Sequence, residues 1–147
     1  VTKYNSPTCD FTLIKKILIV GLGSIGKRHL RIARELLPSA DIRVLRHRHL
    51  SDNDGYSNGS FSRLEEAISY APQLAVIANP SPFHIPIAQA LADIGTNLLV
   101  EKPISDSLGG VTKFIETCDK NQVSLLVGYN LRFLPSLQYF RNSRKRM

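Results

Sequence analysis

Three glycines, Gly21, Gly23 and Gly26, fall inside the stretch IVGLGSIGKRHLR, where an apolar run hands over to residues with helical spacing. In that position each has a separate use. Gly21 can make the tight turn, Gly23 can let the backbone approach a pyrophosphate, and Gly26 can let helix and strand pack closely. The free N–H groups of Ser24, Ile25 and Gly26 would then face an anion at the positive end of the helix. A plain structural turn uses glycines too; the placement between strand and helix is what favours a dinucleotide. A second diagnostic position lies at the end of the next strand, about 20 residues further on, where Asp or Glu would bind the adenosine ribose hydroxyls. This chain has Arg46 there, followed by His47 and Arg48. An arginine favours a 2′-phosphate and so NADP over NAD, unless Arg46 stacks on the adenine or faces solvent.

The elements that must position these groups follow from periodicity. KILIV (Lys16 to Val20) reads as a strand buried on both faces. Leu30, Ala33 and Leu37 then repeat at helical spacing with Arg28, Arg31 and Arg34 on the other side, and Pro38 closes that helix. IRVLR (Ile42 to Arg46) is a second strand that opens into the polar loop HRHLSDNDGYSNGS before a helix beginning near Ser62. LAVIA (Leu74 to Ala78) is the third strand. PFHIPIAQALADIG comes next as a helix with Ile87, Leu91 and Ile94 on one face and Gly95 in the stop position. NLLV (Asn97 to Val100) is the fourth strand. A helix over about 106–121 places Leu108, Val111, Ile115 and Cys118 together, and VSLLVGY supplies the fifth strand. This alternation predicts an α/β fold, a doubly wound parallel sheet with helices on both faces. Right-handed crossovers bring the loops after the strands to one edge, where open α/β sheets bind ligands.

At 147 residues, 43% hydrophobic and 21% charged, the chain fits one globular domain. Its longest stretch without Asp, Glu, Lys or Arg, Ala67 to Ala92, contains Pro72, Pro80, Pro82 and Pro86, so it cannot be one membrane-spanning helix. The first residues have lysines where a signal peptide needs an apolar core, and the expected location is cytoplasmic. Cys9 and Cys118 do not make a disulfide framework and read as reduced structural thiols. No metal site is expected: His47, His49, Asp52 and Asp54 sit in a polar loop, and the twelfth position from Asp52 is Arg63 where a calcium loop needs glutamate. The net charge of +7 gathers at Lys27/Arg28/Arg31, at Arg43/Arg46/Arg48 and at Arg141/Arg144/Lys145/Arg146. The first two clusters adjoin the expected phosphate sites, and no nucleic-acid-binding signature accompanies them, so a multiply charged cofactor accounts for them.

EKP at Glu101 to Pro103 comes after the fourth strand, about 80 residues after the glycine turn. Together with GLGSIGKRH, IANPSPFH and VGYNLRFLP, it makes an ordered set that resembles the N-terminal half of the glucose-fructose oxidoreductase, inositol dehydrogenase and MocA family. The resemblance runs from about Lys16 to Tyr139. It implies a Rossmann domain over residues 16–130, NADP or NAD as cofactor, and hydride transfer to or from a sugar, cyclitol or related alcohol carbon. By position, Lys102 is implied to lie beside the nicotinamide and the substrate hydroxyl, with Glu101 and Pro103 shaping its turn through a cis bond before Pro103. Asn79, Pro80 and His84 match the segment that flanks the cofactor, and Asn130 and Arg132 match the stretch near the substrate. A cation at Lys102 can bind a hydroxyl oxygen and stabilise negative charge as the proton leaves. The other readings are a surface lysine paired with Glu101 and a His84 ring that only hydrogen-bonds nearby backbone. His29 reads as a helix-packing residue.

Residues 1–15 are expected to form an N-terminal extension, and 131–147 to be the start of the family's C-terminal α+β domain and then a basic tail. With that second domain absent, the expectation is a chain that binds NAD(P) but turns over poorly, having no substrate pocket and no acid/base histidine. Leu131, Phe133, Leu134, Leu137 and Phe140 would then lie uncovered and invite self-association. Two other functional readings stay open: a non-catalytic nucleotide-sensing or scaffold protein, and a polyanion-binding protein.

Overall fold

The computed structural model describes residues 13–46 and 55–144. Lys16–Val20 forms β1, in which Ile17, Leu18 and Ile19 are fully buried and Val20 is 2% exposed. Successive side chains of a strand point to opposite faces, so Ile17 and Ile19 join one core cluster with Leu30 while Leu18 and Val20 join another with Ile77 and Leu91. Burying each such side chain contributes roughly 1.5–3 kcal/mol, which favours the centre of the sheet for this strand.

After β1 come α1 (Ser24–Leu36), β2 (Asp41–Leu45), β3 (Gly59–Phe61), α2 (Leu64–Tyr70) and β4 (Leu74–Ile77). Then α3 (His84–Ala92), β5 (Asn97–Val100), α4 (Val111–Lys120), β6 (Leu125–Val127) and α5 (Pro135–Arg144) complete the order, with 3-10 turns at Ser81–Phe83 and Asn130–Phe133. The six strands form one parallel sheet in the order β3-β2-β1-β4-β5-β6. Helix α1 covers one face through Leu30, while Ala67 of α2, Ala88 and Leu91 of α3, and Phe114 and Cys118 of α4 fill the other. This is the doubly wound Rossmann-type fold. Between β1 and β4 the strand order reverses, so the loops leaving those two strands part and leave a crevice at the carboxyl edge.

The structure departs from the expected elements at several places. A sixth strand, β3, lies inside what reads as loop; it pairs Arg43 with Gly59 and Leu45 with Phe61, too short a ladder to leave a periodic signal. The helix expected over 106–121 begins only at Val111, because Gly110 adopts φ +77°, outside the helical region. Leu108 is consequently 92% exposed and Ile115 44% exposed, and the buried face runs through Phe114 and Cys118. Helix α3 opens as a 3-10 turn and ends at Ala92, which shifts its buried face to His84, Ile85, Ala88 and Leu91 and leaves Ile94 exposed. Helix α2 starts at Leu64 rather than Ser62, since the Glu66 carboxylate accepts the N–H groups of Ser62 and Arg63 at 3.1 Å each. Those two bonds hold its carboxyl below the usual range.

Tyr70 closes the far end of α2: its hydroxyl donates to the Asp41 carbonyl oxygen at 2.7 Å, and burial, with the Asp41 charge behind it, pushes its pKa up to about 12. Burial likewise pushes the Cys118 thiol up. Cys9 lies outside the described residues. Among the described residues no helix is long and apolar enough to cross a membrane.

Candidate functional site

The three glycines divide by what the fold itself demands. Gly21 has φ +85°, and a Cβ there would meet the Asn79 backbone at 2.8 Å. A Cβ on Gly26 would run into the carbonyl oxygen of Gly21. Gly23 is different: it is the N-cap of α1 with φ −68°, and a Cβ would meet nothing within 4 Å. Protein packing therefore requires glycine at 21 and 26 but not at 23, where open space lies over the helix start. Among the described residues no side chain caps α1, and its first turn holds no acidic residue, so the amides of Ser24, Ile25 and Gly26 remain available to an anion. Lys27, Arg28 and Arg31 project from the same end of the helix and, with Ser24 and Tyr56, line a cavity of about 650 Å³.

Beside the glycine turn lies a mostly apolar cavity of about 560 Å³ at the crevice between β1 and β4. Gly21, Leu45, Arg46, Asn79, Pro80 and Phe83 are among its walls. Arg46 enters it from the end of β2, where its amide donates to the Phe61 carbonyl oxygen at 3.0 Å. Asn79 Oδ1 is buried with no hydrogen-bond partner among the described residues, an acceptor that a ligand hydroxyl or amide would satisfy. Free amides at an uncapped helix start, space over Gly23 and an orphan acceptor across the crevice all fit a dinucleotide. Sequence reasoning missed Ser62, Phe83 and Ile87 as walls of this cavity. Ile87 has the spacing of a core residue, and only the shifted phase of α3 turns it to the crevice.

One strand further along the same edge, the turn after β5 carries Glu101, Lys102 and Pro103. The Lys102–Pro103 bond is cis. The Glu101 carboxylate faces His29 at 2.7 Å, accepts the Lys102 amide at 3.2 Å, and rests on Gly128, where a Cβ would come within 3.0 Å of it. Glu101 thus serves the main chain and His29, and among the described residues the Lys102 ammonium is in no salt bridge; its side chain is exposed. His84 is 2% exposed, with both ring nitrogens against backbone carbonyl oxygens. Asn130 and Arg132 stand on the exposed 3-10 turn after β6, where the Arg132 guanidinium lies 5.8 Å from the Phe133 ring centre. They share the carboxyl edge with the other groups but are not among the cavity walls. His47, Arg48, His49, Asp52 and Asp54 lie outside the described residues. Among those described, no group of three His, Cys, Asp or Glu is placed to hold a metal ion.

Residues 15–129 match the GFO/IDH/MocA family, described as "Oxidoreductase family, NAD-binding Rossmann fold". The chain belongs to this family. A D-xylose 1-dehydrogenase [NADP(+)] from Haloarcula marismortui is 25% identical over 72 residues, which are 49% of this chain and 20% of that protein. The WlbA dehydrogenase from Bordetella pertussis, solved with NADH and UDP-GlcNAcA, superposes with a TM-score of 0.80 at 22% identity over 90% of this chain and 41% of its own. The scyllo-inositol dehydrogenase from Lactobacillus casei, solved with NAD(H) and scyllo-inositol, gives 0.78 at 21% identity with the same coverage. This GFO/IDH/MocA chain therefore corresponds to the NAD-binding domain, and it spans about two-fifths of the length of those structures.

Proposed function

We propose that this is the cofactor domain of an oxidoreductase that transfers a hydride between NADP and an alcohol carbon of a sugar, cyclitol or related polyol. The observation that carries the reading is the sequence of groups along the sheet edge. Arg46 ends β2, the Gly21–Gly23 turn ends β1, Asn79 comes after β4, and Lys102 after β5, in the spatial order of the strands. Along that edge Arg46 would hold the 2′-phosphate of a dinucleotide, Gly23 and the amides of α1 its pyrophosphate, and Asn79 and Lys102 would serve its nicotinamide half.

Bound there, the cofactor supplies the hydride acceptor or donor. Arg46 offers a fork of donors to a phosphate dianion. Asn79 offers its buried oxygen to the cofactor. Lys102, exposed beside that path and with its ammonium in no salt bridge to Glu101, would bind the substrate hydroxyl oxygen and stabilise negative charge on it. Asn130 and Arg132, on the next turn along, approach the substrate. Residues 16–130 make up the cofactor domain, and 131–144 begin the segment after it.

Support comes from the family membership, from relatives solved with NADH or NAD(H), and from the NADP-dependent xylose dehydrogenase among its similar sequences. Titration of the purified chain with NADPH and NADH, monitored by nicotinamide fluorescence and thermal shift at fixed salt, tests it. Saturable binding with NADPH tighter than NADH is the expected result; absence of binding at millimolar nucleotide rejects the reading.

A further inference from the structure

His84 joins two turns that border the crevice from different strands. Beyond the last ladder pair of β4 and β5, Ile77 with Val100, the Glu101 amide still reaches the Ile77 carbonyl oxygen at 2.9 Å, and then the two chains separate. The imidazole of His84, at the first residue of α3, spans that gap. Its Nε2 lies 2.7 Å from the Asn79 carbonyl oxygen and its Nδ1 lies 2.9 Å from the Pro103 carbonyl oxygen. The ring is 2% exposed, which shields its nitrogens from water. One clamped residue is Asn79, whose side-chain oxygen is buried without a partner at the cavity wall. The other is the residue directly after Lys102.

We infer that His84 is a positioning residue that fixes the spacing between the Asn79 acceptor and the Lys102 turn, and so selects how the nicotinamide half of the dinucleotide sits. The inference rests on the cofactor reading above. A planar ring with its two nitrogens on opposed carbonyl groups is a rigid spacer; a neutral imidazole donates to one of them and a doubly protonated ring to both. Loss of the ring removes the spacer between the two turns and leaves at least one part-buried carbonyl oxygen without its donor. The adenosine end, held by Arg46 and the walls around Leu45, does not depend on that spacing.

The test compares NADPH with 2′,5′-ADP, which fills only the adenosine end, on the wild-type chain and on His84→Ala and His84→Asn, with thermal denaturation as the check on folding. The expected result is that 2′,5′-ADP affinity stays within about twofold while NADPH affinity falls about tenfold, the effect of roughly one lost buried hydrogen bond. In an Asn79→Ala background the His84→Ala loss should shrink to less than about threefold, because the two residues act on the same ligand group. Equal losses for both ligands, no loss of NADPH affinity, or an undiminished loss in the Asn79→Ala background would each overturn the inference. If His84→Ala fails to fold, His84→Asn carries the same comparison. A wild-type chain that binds 2′,5′-ADP and NADPH not at all defeats the cofactor reading itself, a result distinct from those three.

Discussion

His29 Nε2 lies 2.7 Å from Glu101 Oε1, across 72 residues of sequence. The contact ties α1, whose first turn faces the crevice, to the turn that carries Lys102. A histidine that reads in sequence as helix packing is therefore the side-chain partner of the carboxylate beside the candidate catalytic lysine.

Replacing His29 with alanine leaves the Glu101 carboxylate with the Lys102 amide as its remaining hydrogen-bond partner among the described residues. Both side chains are about one-fifth exposed, at 22% and 18%, so water recovers part of the loss. Urea unfolding should show about 1 kcal/mol of destabilisation, with Glu101→Gln costing less because one acceptor oxygen remains.

Glycine-to-alanine substitutions should separate folding from binding. Gly26→Ala places a methyl against the Gly21 carbonyl oxygen and should cost roughly 2 kcal/mol or more, read as a lowered melting temperature. Gly23→Ala meets nothing within 4 Å among the described residues and, at an N-cap where alanine is poorer than glycine, should lower the melting temperature of the free chain less than Gly26→Ala does while weakening NADPH and NADH together. Equal melting temperatures for the two variants would remove the distinction.

Arg46→Asp exchanges a phosphate-binding fork for a group suited to ribose hydroxyls. NADPH affinity should fall about tenfold or more, while NADH affinity stays within about twofold or improves. Isothermal titration of both nucleotides at one ionic strength checks this, and parallel losses would assign Arg46 to adenine stacking.

Tyr70 gives an alkaline signature. Its pKa is raised from 10.0 to about 12, so the folded state holds the phenolic proton more tightly than the unfolded chain does. The contribution of the neutral phenol is complete below pH 10 and is lost as pH rises toward 12. Tyr70→Phe should cost about 1 kcal/mol at neutral pH for the bond to the Asp41 carbonyl oxygen, and its stability should then fall less than wild type's between those two pH values. Identical alkaline slopes would place the titration elsewhere.

How much of the fold and site is legible in sequence depends on whether the signal is local. KILIV announces β1 because four successive apolar side chains suit a strand covered on both sides, and the glycine spacing marks the turn into α1. Gly59–Phe61 gives no such signal, since three mixed residues become a strand only by pairing with β2. Periodicity misplaces the start of α4 because Leu108 and Val111 have helical spacing while Gly110 between them takes a left-handed conformation. Arg46 is legible as the end of a strand, whereas Asn79 and Lys102 are picked out only by the family resemblance. The partners of His29 and His84 are not legible, for a contact across 72 or 19 residues leaves no trace in periodicity.

The central place of β1 also sets an order of events for folding. Though it comes first of the six strands among the described residues, both of its neighbours in the sheet come later, β2 at 41–45 and β4 at 74–77. During synthesis its apolar side chains must wait for one flank and then the other, and the second can dock only after about 57 further residues have left the ribosome. At roughly 5–20 residues per second that is an interval of seconds, in which an apolar segment destined for burial on both faces is made and not yet covered.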